Sequence, residues 1–309
     1  MDTLVGLLDG PKARGAFLLR SILDPPWSLR IEDRAPLSLV TMVRGQAWVT
    51  MDEGTTARLQ PGDVAIVRGP DPYTIADDQD TPVQVVIGPG QSCSTSDGGD
   101  VAQAMRLGVR TWGDNPDGST VMLSGTYQMH SEIGQRLLGA LPALLVWPAD
   151  AGDGTLISLL ATEMVKNEPG QELVLDRILD LVIVSVLRAW LASPEAGVPA
   201  WYRAQQDLVA GPALQLLHDD PAHPWTVANL ATRVGVSRAV LARRFTELVG
   251  EPPMTYLTSW RLTLAADLLR EPNATIGTVA KQVGYSSPFA LSTAFKRVRG
   301  ISPKEHRLT

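Results

Sequence analysis

The chain has 309 residues, of which 44% are hydrophobic, and this length and composition predict about two domains with ordinary packed cores. It has no uninterrupted apolar run of about 18 residues, so the sequence predicts neither a membrane-spanning helix nor a membrane partner. Residues 1–14 start acidic and lack the basic N-terminal segment followed by a long apolar segment that is typical of a secretory signal. The single cysteine, Cys93, cannot form an internal disulfide. We therefore expect a cytoplasmic protein.

The formal net charge of −6 conceals a difference between the two parts of the chain. Residues 1–199 carry 14 Lys and Arg against 25 Asp and Glu, a net charge of −11. Residues 200–309 carry 13 Lys and Arg against 8 Asp and Glu, a net charge of +5. A basic C-terminal part joined to an acidic N-terminal part favours nucleic-acid binding at one end of the protein.

The N-terminal part alternates short apolar runs with turn residues. Residues 37–50 are apolar and β-branched, and residues 57–67 contain the turn Pro61-Gly62-Asp63 before another short apolar run. Residues 83–87 and 120–127 predict further strands, whereas the Gly- and Ser-rich residues 90–100 predict a loop. Short strands at this spacing predict an all-β barrel or sandwich.

Helical spacing begins after residue 150. The apolar pattern predicts one helix over 156–164 and a longer one over 172–192 that is apolar on nearly all sides. Such a helix is buried either against a second copy of the chain, which we favour because symmetric dimers dominate soluble oligomers, or in a core against the β domain. The Pro- and Gly-containing residues 195–199 mark a boundary. The predicted segments are a β domain at 1–150, a helical dimerisation and linker segment at 151–199, and an all-helical domain at 200–309.

Two similar helical patterns lie about 50 residues apart, over 226–249 and 275–299. In each, a Thr that can cap a helix precedes a short apolar-periodic run, a Gly allows a tight turn with positive φ, and a Ser caps the next helix. These residues are Thr226, Gly235 and Ser237 in the first pattern, and Thr275, Gly284 and Ser287 in the second. A helix, a short turn and a second helix with a basic exposed face are typical of a unit that reads the major groove of DNA.

In the second helix of each pattern, spacing separates a buried side from an exposed side. The predicted buried residues are Val240, Leu241, Phe245 and Leu248 in the first, and Leu291, Phe295 and Val298 in the second. The predicted DNA-binding residues are Arg238, Ala239, Ala242, Arg243 and Thr246, followed by Ser287, Phe289, Ser292, Thr293, Lys296, Arg297 and Arg299. Arg243 is the first candidate for base readout because Arg can bond guanine O6 and N7 together. Arg238 is the second, with a phosphate contact or a solvated side chain as an equal alternative.

The separated motifs together resemble the AraC/XylS family of transcription regulators. The resemblance rests on Gly284-Tyr285-Ser286-Ser287-Pro288, Ala294-Phe295-Lys296-Arg297, Gly300-Ile301-Ser302-Pro303 and Arg307, and on Trp225-Thr226, Ser237-Arg238, Arg243-Arg244-Phe245 and Gly250-Glu251-Pro252-Pro253. It implies binding to double-stranded DNA and, for an activator, contact with RNA polymerase. Phe289, Ser292 and Thr293 occupy the family's base-facing positions. None has the reach of Arg, so we expect the second unit mostly to hold the backbone through Lys296, Arg297 and Arg299.

The N-terminal part resembles the cupin-type domain found ahead of such DNA-binding units. The resemblance rests on Pro26-Trp27, Val43-Arg44-Gly45, Leu59-Gln60-Pro61-Gly62-Asp63-Val64 and Arg68-Gly69-Pro70. It implies an α+β multidomain protein with an N-terminal all-β cupin-like barrel followed by helices, and a C-terminal all-α tandem helix-turn-helix domain. It also implies control by a small molecule or another signal at the barrel.

A cupin enzyme, with or without a metal and with an accessory helical tail, is the alternative. Metal-binding cupins line the barrel with His and carboxylate ligands, but three of the four histidines here, at 218, 223 and 306, lie in the C-terminal part, apart from His130. We therefore predict no cofactor and no metal. Trp27, Trp48, Tyr73 and Trp112 are candidates to line an apolar ligand pocket, with a place in the core as the alternative for each.

Overall fold

The computed structural model describes residues 17–127, 132–149, 154–193 and 200–308. The predicted boundary at 195–199, His130 and the N-terminal residues 1–16 lie outside these ranges. The chain forms two compact units. Among the described residues, one unit, here the β unit, holds 17–127, 138–149 and 154–193, and the other, here the helical unit, holds 132–137 and 200–308. The domain limits at 150 and 199 stay a prediction.

The β unit contains two sheets of short strands, as the spacing of apolar runs and turns predicted. The strands are β1 Phe17–Leu23, β2 Ser28–Ile31, β3 Leu37–Arg44, β4 Ala47–Met51, β5 Thr56–Leu59, β6 Val64–Arg68, β7 Tyr73–Ala76, β8 Val85–Ile87, β9 Cys93–Thr95, β10 Arg106–Gly108, β11 Thr111–Gly113, β12 Thr120–Tyr127 and β13 Leu144–Trp147. One sheet has the order β10-β11-β1-β12-β3-β6-β13 and the other β5-β4-β7-β2-β8-β9. The predicted loop at 90–100 contains strand β9, because its backbone pairs antiparallel with β8.

The predicted turn between β5 and β6 shows how local chemistry directs the chain between the sheets. Gly62 has φ +89°, a conformation that glycine adopts without steric cost. The Asp63 carboxylate accepts hydrogen bonds from the backbone N–H of Gln60 at 2.8 Å and of Ala149 at 2.9 Å. The turn is thus fixed from within and is also tied to the segment that follows β13.

One apolar core lies between the two sheets. Val40 and Met122 from the first sheet and Val49 and Ile75 from the second all belong to it. Strand β3 is buried along most of its length, which requires cover on both of its faces. This two-sheet arrangement agrees with the expected N-terminal all-β architecture.

Two helices, α1 Thr155–Met164 and α2 Gln171–Ala192, follow the strands at the predicted positions. Helix α2 packs against β12, where the Tyr127 hydroxyl donates a hydrogen bond to the Leu179 carbonyl at 3.0 Å. Gly125 lets the helix approach closely, since a Cβ there would lie 3.3 Å from Leu179 Cδ2. In the described part of the chain, no helix is long and apolar enough to span a bilayer.

The helical unit is built around a long central helix. A short helix, Glu132–Leu138, belongs to this unit up to residue 137. The other helices of the unit are α3 Ala200–Gln205, α4 Ala210–Asp219, α5 Val227–Val234, α6 Arg238–Val249, α7 Pro253–Leu269, α8 Ile276–Gln282, α9 Pro288–Arg299 and α10 Pro303–His306. Helix α7 places Tyr256 and Trp260 in one apolar core with α4–α6, and Leu262 and Leu269 in a second core with α8 and α9. Because one helix belongs to both cores, the two helix-turn-helix motifs are held on a common support.

Candidate nucleic-acid interface

The first helix-turn-helix motif is formed by α5, a tight turn and α6. The Thr226 side chain accepts a hydrogen bond from the Asn229 backbone N–H, and the Ser237 side chain accepts one from that of Val240. Gly235 ends α5 in the left-handed conformation, with φ +81°. Both caps and the turn therefore form where the sequence predicted them.

The sides of α6 follow the predicted division at most positions, although Leu248, predicted to be buried, is half-buried. Leu241 and Phe245 are buried, Arg238, Ala239 and Arg243 are exposed, and Ala242 and Thr246 are half-buried. Val240, predicted to be buried, is 39% exposed, because it lies about 100° around the helix from the fully buried Leu241 and so falls outside the buried side. An exposed face with two Arg side chains can enter the groove of a duplex without unfolding the motif.

Two neighbouring arginines of α6 have different partners. Arg243 Nη1 lies 2.9 Å from Glu247 Oε1, and both side chains are exposed. Arg244 binds Asp207, with Nε at 2.9 Å and Nη2 at 2.8 Å from Oδ2. Burial alone would raise the pKa of Asp207, but hydrogen bonds from the Ala210 and Val209 backbone and from Arg244 outweigh it and lower that pKa. Arg244 therefore anchors α6, whereas Arg243 stays on the outer face.

The second motif is formed by α8, a tight turn and α9. Thr275 caps α8, Gly284 has φ +79°, and Ser287 caps α9 with Pro288 at the first helical position, as predicted. Leu291 and Phe295 are buried. Val298, predicted to be buried, is 54% exposed, because it lies in the last turn of α9, beyond the core.

The outer face of α9 carries a large aromatic side chain and several cations. Phe289 is 80% exposed, and Thr293, Lys296 and Arg297 are also exposed. The Ser292 hydroxyl donates to the Pro288 carbonyl at 2.8 Å, so its hydrogen is used within the helix. The face offers one aromatic surface and positive charge rather than a set of side chains that read base edges.

A carboxylate from a distant part of the chain binds the basic end of α9. Glu132 Oε2 lies 2.9 Å from Arg299 Nη1, and Oε1 lies 3.6 Å from Arg270 Nη2. The Glu132 backbone N–H also donates to Asp267 Oδ1 at 2.6 Å. Arg299, predicted to contact DNA, is therefore already paired in this structure. The sequence offered no signal for this pair, because nothing local connects Glu132 to Arg299.

A second long-range contact fixes the two motifs against each other. The guanidinium of Arg261, on α7, donates to the Pro221 carbonyl at 2.6 Å and to the His223 carbonyl at 2.7 Å. Burial lowers the pKa of Arg261. The turn at Gly284 packs against this loop so tightly that a Cβ there would lie 2.6 Å from the Ala222 carbonyl oxygen. This glycine is thus required by packing as well as by its φ.

The β unit contains a cavity of about 260 Å³ between its two sheets. Of the predicted ligand residues, Tyr73 and Trp112 line it. Trp27 and Trp48 are not among the lining residues: Trp27 is buried with its Nε1 3.4 Å from Thr120 Oγ1, and Trp48 lies on β4 with its side chain half-buried. Cys93 also lines the cavity, and burial raises the pKa of its thiol.

Two histidines of the helical unit, His218 and His306, have hydrogen-bond partners within it. His218 Nε2 lies 2.6 Å from the Tyr256 hydroxyl, and His306 Nε2 lies 3.1 Å from the Ala266 carbonyl, where it donates. In the ranges that the structure describes, no three His, Cys, Asp or Glu side chains group as metal ligands would. The helical unit therefore uses these rings for packing and hydrogen bonding.

Comparisons with known proteins cover both parts of the chain. A family model described as Cupin matches residues 2–192, and one described as a helix-turn-helix domain matches residues 230–309. A protein named as an AraC-like transcription regulator from Streptomyces lividans is 32% identical over 99% of this chain and 98% of its own length. The HTH-type transcriptional regulator AlkR from Acinetobacter baylyi is 27% identical over 99% of each chain. Among solved structures, the DNA-binding domain of AdpA in complex with a target DNA is 32% identical over 31% of this chain and 90% of that one, with a TM-score of 0.29.

The full-length relatives are named as transcription regulators and none of them as an enzyme, which removes the support for the cupin-enzyme alternative. The two matched models occur in the same order as the β unit and the helical unit. The chain therefore belongs to the AraC family of DNA-binding transcription regulators, with a cupin domain ahead of a tandem helix-turn-helix domain.

Proposed function

We propose that α6 and α9 are recognition helices that enter neighbouring major grooves on one face of a duplex. The observation that carries this proposal is that α7 belongs to both apolar cores of the helical unit. Its 17 residues span about 26 Å, and adding about one helix radius at each end gives about 36 Å, close to the distance of about 34–36 Å between successive major grooves. A rigid support of this length favours simultaneous binding of both motifs.

The two recognition helices have different tasks in this proposal. Arg243 and Arg238 on α6 reach base edges, and Ala239, Ala242 and Thr246 allow the helix to approach the bases closely. On α9, Phe289, Ser292 and Thr293 face the bases, while Ser287, Lys296, Arg297 and Arg299 hold the phosphates. Sequence preference should therefore be stronger at the base pairs beneath α6 than at those beneath α9.

Selection from a random duplex library with the purified full-length protein tests this division. We expect one conserved block under α6 and a weaker block one helical turn away. The variant Arg243→Ala should lose preference at one position of the first block, whereas Thr293→Ala should change little. A selected site with equal information in both blocks, unaffected by Arg243→Ala, would contradict the assignment.

We also propose that α2 mediates a homodimer. Leu173, Val174 and Leu181 are 59%, 44% and 54% exposed along one side of this helix, although its opposite side is packed on β12. A second copy that presents the same face would bury these side chains around a two-fold axis. Leu181→Glu should convert a dimer to a monomer in sedimentation, whereas Leu208→Glu, at an 89% exposed site in the helical unit, should not. A wild-type protein that sediments as a monomer at high concentration would exclude the dimer.

The remaining parts of the proposal concern the signal and the division of the chain. A small molecule in the cavity between the sheets would control DNA binding in the cytoplasm, and an activator form would also contact RNA polymerase. A fragment of residues 200–309 should fold alone, because both apolar cores lie within it, and bind the selected duplex more weakly than the full chain. Sedimentation and gel-shift assays of the fragment beside the full chain measure both expectations.

A further inference from the structure

The cavity of the β unit is matched to a compact apolar molecule. Its volume is about 260 Å³, and Leu19, Leu29, Ile75 and Met122 are among the side chains that form its walls. An apolar cavity of about 150 Å³ holds benzene, so this one accommodates a skeleton of nearly twice that size. This inference rests on the proposed effector function and concerns the chemistry of the effector.

Asp33, the acidic side chain among the residues that line the cavity, already accepts hydrogen bonds from two neutral protein donors. Asp33 Oδ1 accepts a hydrogen bond from the Ala35 backbone N–H at 3.0 Å, and Oδ2 accepts one from Gln91 Nε2 at 3.4 Å. The first contact lies within the turn after β2, and the second ties the carboxylate to the segment that follows β8. Asp33 is therefore a poor partner for a bound cation.

The basic groups lie on one hairpin at another side of the cavity. Arg106, Arg110 and Trp112 all line it, and Arg106 pairs directly with Trp112 across β10 and β11. Residues opposite each other in an antiparallel pair project from the same face, so the Arg106 side chain emerges beside the indole ring. The hairpin thus places two Arg residues and one Trp beside the cavity, with the side chain of Arg106 exposed.

Arg110 is held by long contacts although most of its side chain is buried. The side chain is 19% exposed, and among the described residues its acidic partner is Glu172, with Nη2 3.9 Å from Oε1. Nη1 lies 3.5 Å from the Lys166 carbonyl oxygen, at the limit of a hydrogen bond. A guanidinium has five N–H donors, and withdrawing it from water without short partners is costly.

The indole of Trp112 offers a further donor. Its side chain is 5% exposed, and Nε1 has no hydrogen-bond partner among the described residues. Buried indole N–H groups usually find an acceptor. An acceptor on a bound molecule would satisfy both this group and the loosely held guanidinium.

We propose that the cavity binds a compact apolar acid, whose carboxylate is held by Arg110 and Arg106 and accepts a hydrogen bond from Trp112. The acid replaces Glu172 as the partner of Arg110. Glu172 lies in the first turn of α2, the helix that carries the proposed dimer face, and Lys166 lies in the segment between α1 and α2. Occupancy of the cavity is thereby linked to the start of α2.

The test compares naphthalene-2-carboxylate with the neutral 2-naphthylmethanol on the full-length protein by calorimetry. The acid should bind the wild type at least about tenfold more tightly than the alcohol, as expected for a charge-assisted hydrogen bond. Arg110→Gln and Arg106→Gln should each reduce that ratio, whereas Arg58→Gln, at an exposed position of the edge strand β5, should leave it unchanged. The acid should also slow alkylation of Cys93, which mass spectrometry follows without ambiguity because it is the single cysteine.

Each outcome decides a separate point. Equal affinity for the acid and the alcohol would overturn the acidic class while leaving the cavity as an effector site. Absence of binding by either compound at millimolar concentration would overturn this proposal entirely. Specific DNA binding by the same preparation, measured in parallel, reports on the recognition helices independently of the cavity.

Discussion

Replacing Arg243 with Ala should weaken specific DNA binding without weakening the fold. In the free protein Arg243 pairs with Glu247 one helical turn away, and the two side chains are 66% and 45% exposed. Such an exposed pair contributes only about 0.3–0.5 kcal/mol, so its loss should leave the melting temperature nearly unchanged. A bidentate contact from Arg243 to guanine contributes about 1–3 kcal/mol of discrimination. This exceeds the free energy that is lost when the Arg243 side chain leaves Glu247 to make that contact. The expected loss of affinity is about 5- to 150-fold.

Fluorescence anisotropy on the selected duplex measures this loss, and circular dichroism of the same samples measures the melting temperature. The matched control is Arg203→Ala, which removes an exposed Arg from α3, outside both motifs. A third variant, Glu247→Gln, releases Arg243 and removes a negative charge beside the duplex, so it should tighten binding modestly.

Two results would refute the reasoning. If Arg203→Ala and Arg243→Ala weaken binding equally, the effect is general electrostatics rather than readout by a positioned side chain. If Arg243→Ala binds more weakly but keeps the same preference at every position of the site, Arg243 contacts phosphate and does not read a base.

Three further predictions follow from charge and packing in the helical unit. Binding should weaken steeply with salt, and Arg297→Gln should reduce the slope of log K against log salt by about 1, whereas an unchanged slope would exclude a phosphate contact. Gly284→Ala should lower the free energy of unfolding by at least about 1 kcal/mol more than Gly235→Ala does. Both glycines have positive φ, but only the Cβ added at residue 284 would clash with the backbone of a neighbouring segment. Equal losses of unfolding free energy in urea titration would contradict this. Glu132→Gln should tighten DNA binding more than Glu271→Gln, which makes the same charge change at an exposed site, because the loss of the Glu132 carboxylate releases Arg299 at the end of α9. Equal effects of the two variants in fluorescence anisotropy would show that the Glu132–Arg299 pair does not restrain DNA binding.

The helix-turn-helix motifs could be predicted because their signals are local. A Ser or Thr cap bonds to a backbone N–H three residues away, and a Gly with positive φ ends a helix within the same few residues, as at Thr226 and Gly235. The division between buried and exposed sides also follows from periodicity over most of α6 and α9. It fails at Val240, which lies about 100° around α6 from the buried Leu241, and at Val298, where the inner side of α9 continues beyond the end of the core.

The tertiary structure decided everything that depends on residues distant in the chain. It pairs Glu132 with Arg299, brings Arg261 to the loop beside Gly284, and excludes Trp27 and Trp48 from the cavity wall. It also gathers Arg106, Arg110 and Trp112 on one hairpin beside that cavity. Residue types and spacing determine which helices, strands and turns form, because those depend on neighbouring backbone groups. Which charges meet, and where space is left, depends on how the finished elements pack.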